Sequence, residues 1–100
     1  MKKIKVITNI DPETGQKYHH TQYLYMCPGC GFEHAFALKN EGGHHDFNMD
    51  VESPTVTPSL VQNFTKGSMC HSFIREGKIQ FLNDCTHHLA GQTVELPEIK

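Results

Sequence analysis

Cys27-Pro28-Gly29-Cys30-Gly31 is the segment of this 100-residue chain whose residue types and spacing speak most directly of chemistry. Two thiolates three positions apart, joined by a turn, aim at one point and suit a tetrahedral ion. Pro28 pre-sets the turn. Gly29 and Gly31 let the backbone curl so that its N–H groups face the sulfurs. The same spacing occurs in redox dithiols, but those need a βαβ setting, and Gly31-Phe32-Glu33-His34-Ala35 starts no helix. A structural zinc site takes four ligands, and the remaining candidates are Cys70, Cys85, His34, His71, His87 and His88.

The elements that must position these residues read with period 2, not 3.6. Lys3–Ile10 alternates, with Ile4, Val6, Thr8 and Ile10 on one face. Residues 11–15 form a turn, and Lys17–Met26, rich in Tyr and Thr, returns as the second strand of a hairpin. Phe32–Leu38 alternates again, with Phe32, His34, Phe36 and Leu38 together. Asn40–Asp50 reads as a polar loop. Pro54 and Pro58 argue against a long helix or a central strand there. Met69–Ile74 and Lys78–Asn83 flank Arg75-Glu76-Gly77 as a hairpin, Asn83–Ala90 holds at most a short turn, and Gly91–Leu96 is a last strand.

Strand parity then selects among the ligands. With Glu76-Gly77 as a two-residue turn, Arg75 pairs with Lys78 and Phe73 with Gln80. One face carries Cys70, Ser72, Ile74, Ile79, Phe81, Asn83 and Cys85; the other carries His71, Phe73, Arg75, Lys78, Gln80, Leu82 and Asp84. The expected ligand set is therefore Cys27, Cys30, Cys70 and Cys85 around one structural zinc. His87 is the main rival for the fourth place, and His71 enters only if a bulge resets the parity. Cys70 and Cys85 also suit an ordinary core, since free Cys is among the most buried residue types.

Asp84-Cys85-Thr86-His87-His88 packs an acid, a thiol and two imidazoles into five positions. One reading is a histidine base oriented by Asp84, or a metal-bound water. The plainer reading is turn hydrogen bonds from Asp84 and Thr86, with His87 buttressing the metal site. His34 lies on an apolar face and reads first as a core residue. His19-His20 and His44-His45 read as solvated.

The composition limits the function classes. Four Cys and eight His stand in a chain with 37% hydrophobic and 20% charged residues, which is globular rather than disordered. Such a small core often needs a metal or another staple. A net charge of −2 supplies no cationic field for nucleic acid or anionic lipid. Tyr18–Phe32 also lacks the basic residues that a stacking platform for single strands would interleave. No apolar run is long enough to span a membrane, and Met1–Val6 lacks the apolar stretch of a signal peptide. A reducing cytosol is the expected setting, where four Cys read as ligands before disulfides. The expected architecture is a single mainly β domain over residues 1–100, antiparallel, zinc-ribbon-like, with little helix.

The combination Cys27-Pro-Gly-Cys30-Gly-Phe-Glu-His34-Ala-Phe36, Ser53-Pro-Thr-Val-Thr-Pro58-Ser59-Leu60, Cys70-His71-Ser72-Phe73-Ile74 and Asp84-Cys85-Thr86-His87-His88-Leu89-Ala90-Gly91 resembles a family of small phage and prophage proteins, some of which carry the name ammonia monooxygenase. The resemblance covers residues 23–97 and leaves Lys3–Lys17 as an added strand. It implies a zinc-binding protein of phage or prophage type in the bacterial cytoplasm, and no reaction. Monooxygenase chemistry needs copper or iron with open positions, whereas a Cys-rich site favours redox-silent zinc. The expected function is a non-enzymatic accessory factor that binds a host or phage protein. A small metal-dependent hydrolase using His34, His71, Asp84 and His87 is the alternative, and a nucleic-acid-binding zinc ribbon ranks third.

Overall fold

A computed structural model describes residues 1–8, 13–15, 21–62 and 67–99. The expected ends of the first two strands, at 9–10 and 17–20 with His19-His20, and Asp11-Pro12 of the turn lie outside these residues. The described chain is mainly β, in two antiparallel sheets. The first has the order β1 (Lys5–Ile7), β2 (Gln22–Met26), β3 (Glu33–Phe36). The second has the order β4 (Asp46–Phe47), β5 (Val56–Gln62), β6 (Cys70–Arg75), β7 (Lys78–Phe81), β8 (Thr93–Glu95). The loop expected over 40–50 opens in a 3₁₀ turn at Lys39–Glu41 and holds β4.

Alternation builds one core between the sheets. Tyr23, Tyr25, His34 and Phe36 are buried from the first sheet, and Val56, Leu60, Cys70, Ser72, Ile74, Ile79 and Phe81 from the second. Their apolar members form one cluster with Cys27, Cys85 and Leu96. Tyr23 stacks on Phe36 with ring centroids 5.4 Å apart. The face expected for Phe32 and Val6 is not kept: both are exposed, because Phe32 precedes β3 and β1 is a three-residue edge strand. Ile4, just before β1, is the residue that enters the core.

The β6–β7 hairpin follows the expected register, with Arg75 opposite Lys78 and Phe73 opposite Gln80. Glu76 and Gly77 both take positive φ, 50° and 79°, the combination whose twist matches a two-residue antiparallel turn. The expectation that Pro54 and Pro58 exclude a central strand is overturned, since β5 lies between β4 and β6. Two features accommodate Pro58. β4 pairs only with Val56 and Thr57, and the register of β5 on β6 shifts between Val56 and Leu60. The missing N–H of Pro58 thus falls where the ladder is already interrupted.

Because Ile74 is fully buried between the sheets and Val6 is half exposed, Ile74→Ala should lower unfolding free energy by about 2–5 kcal/mol. Val6→Ala should change it by less than about 0.5 kcal/mol. Urea denaturation of the two variants checks the contrast.

Candidate active site and metal centre

The loop between β2 and β3 delivers Cys27 and Cys30. Gly31 N–H donates to the Cys27 carbonyl at 2.8 Å, and Cys30 N–H donates to Cys27 Sγ at 3.3 Å. Cys70 opens β6 and points inward. The turns after β7 bring His87 to the same place, where Phe81 supports its ring edge-on at 4.4 Å. Cys27, Cys30, Cys70 and His87 each offer one ligand atom, and all four atoms lie within 4.8 Å of one another. They are close enough to hold a metal ion.

The spacing and the donor chemistry fit a tetrahedral ion. With metal–sulfur bonds of about 2.3 Å, a tetrahedron places two sulfurs about 3.8 Å apart and a sulfur and an imidazole nitrogen about 3.6 Å apart. Cys27 Sγ and Cys70 Sγ are 3.7 Å apart, and Cys70 Sγ and His87 Nε2 are 3.6 Å apart. The hydrogen bond from the Cys70 thiol holds the Cys27 thiol down to about 4 against the opposing effect of burial, with help from His34 and the Cys30 amide. Cys70 is pushed up as the partner that keeps the shared proton, and burial beside Cys27 raises Cys30. Burial, reinforced by the cysteines, also raises the Tyr25 phenol behind them.

Cys85 lies outside this group. Its Sγ donates to the His71 carbonyl at 3.2 Å and accepts from His71 N–H at 3.3 Å. Parity stops applying there because β7 ends at Phe81 and the chain turns. Thr86 fastens the next position, exchanging main-chain and hydroxyl hydrogen bonds with Met69. His34 is buried beside Cys27, with its ring edge-on to Tyr25 at 5.4 Å. The residues grouped as a metallohydrolase site therefore divide: His34 and His87 belong with the cysteines, whereas His71 and Asp84 face the other way.

On that outer face a second constellation appears. Cys70 points in, so His71 points out. His71 sits opposite Val61 on β5, and Ser59, two residues earlier, is its diagonal neighbour on the same face. Leu82 N–H donates to the His71 carbonyl at 2.9 Å, which sets Asp84 beside the His71 ring. His71 Nε2 lies 3.0 Å from Ser59 Oγ, and His71 Nδ1 lies 3.1 Å from Asp84 Oδ2. An ionised carboxylate only accepts, so Nδ1 carries the ring proton and Nε2 is left to accept from the Ser59 hydroxyl. Ser59 and His71 are half-buried and Asp84 is exposed.

Parity had already placed His71 and Asp84 on one face. Ser59 was the residue missed, because Pro58 argued against the strand that carries it. The available signal was the run Thr57-Pro58-Ser59-Leu60-Val61, whose alternation resumes directly after the proline. His45, expected to be solvated, is half-buried, and its Nε2 lies 3.2 Å from the Ser59 carbonyl oxygen.

A family model described as bacterial ubiquitination-like system serine protease (BubE) matches residues 5–82. That span includes Cys27, Cys30, Ser59, Cys70 and His71 and ends before Asp84 and His87. No curated protein and no solved structure matches the chain. The kinship expected with small phage and prophage proteins is met at the coarser level of a bacterial family. Among the described residues, no helix is long and apolar enough to cross a membrane.

Gly29 passes so close to His87 that a Cβ built on it would fall into the imidazole ring. Gly29→Ala should therefore push His87 off the cysteines and weaken Zn²⁺ binding by ~10-fold or more. Competition with a chromogenic chelator measures the shift.

Proposed function

This chain belongs to the BubE family, and from that premise we propose that it is a serine-nucleophile peptidase whose catalytic relay rests on a structural zinc centre. The observation that carries the reading is the unbroken chain Ser59 Oγ, His71 Nε2, His71 Nδ1, Asp84 Oδ2, with links of 3.0 and 3.1 Å. These are the three roles of acyl transfer by serine, recognised by geometry and not by their order in the chain. The family description adds the setting, a bacterial ubiquitination-like system, so the bond cut lies in a protein of such a system.

Ser59 Oγ attacks the scissile carbonyl carbon as its proton passes to His71 Nε2. His71 then gives that proton to the departing amine, and Ser59 holds the acyl group as an ester. Water, deprotonated by His71, attacks the ester and releases the acid, and the proton returns to Ser59. Asp84 keeps the ring in the tautomer that leaves Nε2 basic and stabilises the imidazolium. Its exposure makes it a minor contributor to folding, so its value lies in orientation.

The zinc ligands in this reading are Cys27, Cys30, Cys70 and His87, a closed three-thiolate, one-imidazole set. When bound, zinc supplies a rigid cross-link and no reaction chemistry. What that cross-link holds is the strip Asp84–His87, which reaches Asp84 and Cys85 to His71 and Thr86 to Met69. The Ser59–His71–Asp84 geometry favours this reading over a non-enzymatic accessory factor, and the placement of His71 and Asp84 toward Ser59, away from the cysteine group, favours it over a metallohydrolase.

Two experiments test this. A fluorophosphonate should label Ser59, as read by peptide mass spectrometry. In p-nitrophenyl acetate hydrolysis, Ser59→Ala and His71→Ala should each lower kcat by ~10⁴-fold or more, and Asp84→Asn by ~10²–10⁴-fold. An unchanged rate in Ser59→Ala overturns the reading. Metal analysis separates the ligand sets: His87→Ala should lose zinc at micromolar chelator, whereas Cys85→Ala should keep about one zinc per chain. The opposite result would restore Cys85 as the fourth ligand.

A further inference from the structure

Ser59 stands in the irregular part of β5, between Thr57, the last residue paired with β4, and Leu60, from which pairing with β6 resumes. Continuing the β4 register would put His45 opposite Pro58, but β4 stops at Asp46. There the main chain turns away. His45 N–H donates to the Ala37 carbonyl at 3.2 Å, and Lys39 N–H donates to the His45 carbonyl at 3.0 Å. The side chain takes over where the ladder ends. His45 Nε2 lies 3.2 Å from the Ser59 carbonyl oxygen. A carbonyl only accepts, so Nε2 carries the proton and donates. The ring is braced edge-on against Phe36, with centroids 6.0 Å apart.

We propose that His45 is a positioning residue for the Ser59 nucleophile, acting through the serine's own carbonyl. The inference rests on the triad reading of Ser59, His71 and Asp84. Rotation about the Cα–C bond of Ser59 swings its carbonyl against its Cβ. A carbonyl tied to His45 and a hydroxyl tied to His71 therefore fix the residue from two sides. Without His45, the Ser59–Leu60 peptide has no strand partner on the β4 side among the described residues, and Oγ drifts from His71. Displacement of a reacting atom by about 1 Å costs on the order of 10²-fold in rate.

The experiment compares wild type, His45→Phe, His45→Gln and Ser59→Ala in p-nitrophenyl acetate hydrolysis, with zinc content and near-ultraviolet circular dichroism as checks on folding. His45→Phe keeps a ring against Phe36 and removes the donor, so kcat should fall by about 10-fold or more with KM within about 2-fold. His45→Gln keeps an N–H donor and should recover kcat to within about 3-fold of wild type. A wild-type rate in His45→Phe overturns the proposal, and so does an equal loss in both His45 variants, since a donor would then not be what matters. Should His45→Phe fail to fold, ¹⁵N chemical shifts of the wild-type ring decide. A proton on Nε2 of neutral His45 supports the contact, and the opposite tautomer overturns it. Full activity in Ser59→Ala instead removes the triad reading itself, which separates the two failures.

Discussion

Alternation along β6 is the constraint on which the site depends. Because successive side chains leave a strand on opposite faces, Cys70 is committed to the interior and His71 to the surface by a single peptide unit. Shifting β6 by one residue would put the imidazole among the thiols and the thiol in solvent. The register is held by the buried row Cys70, Ser72 and Ile74 and by the tight Glu76-Gly77 turn. The placement of both centres is thus a by-product of packing the core correctly.

The strip from Asp84 to His87 applies the same economy outside a strand. Each of its four side chains has a different partner: the His71 ring, the His71 main chain, the Met69 main chain and the Cys70 thiol. In a chain with so small a core, the strip has no helix or strand of its own to stiffen it. Its order comes from these polar contacts, so what fixes His87 also fixes Asp84 three residues away.

Much of this was legible in the sequence, and the reasons are specific. Cys27 and Cys30 follow from turn spacing. The face shared by Cys70, Ile74, Ile79 and Phe81 follows from hairpin parity, because a two-residue turn leaves no freedom of register, whereas Asp84 reaches the His71 ring through the turn after β7. Parity has no authority beyond Phe81, where the strand ends. That is why it grouped Cys85 with the other three cysteines while the fold brings His87 to them and sets Cys85 under His71. Ser59 was hidden by a sound rule about proline that fails only where a short neighbour and a register shift leave the N–H unneeded. His45 was hidden because side-chain substitution for a missing strand partner depends on where β4 stops, which two residues of weak pattern do not announce.

The contact between Cys27 and Cys70 joins positions 43 residues apart, while Ser59, His71 and Asp84 all lie within one antiparallel meander. In polymer terms, a metal at the cysteines would close a long loop whose closure entropy is otherwise met by core packing alone. A secreted domain of this size commonly achieves the same with a disulfide. A thiolate-bound metal would tie the two sheets together equally far along the chain, but by a cross-link that needs reduced thiols and a supply of metal, where a disulfide needs an oxidant.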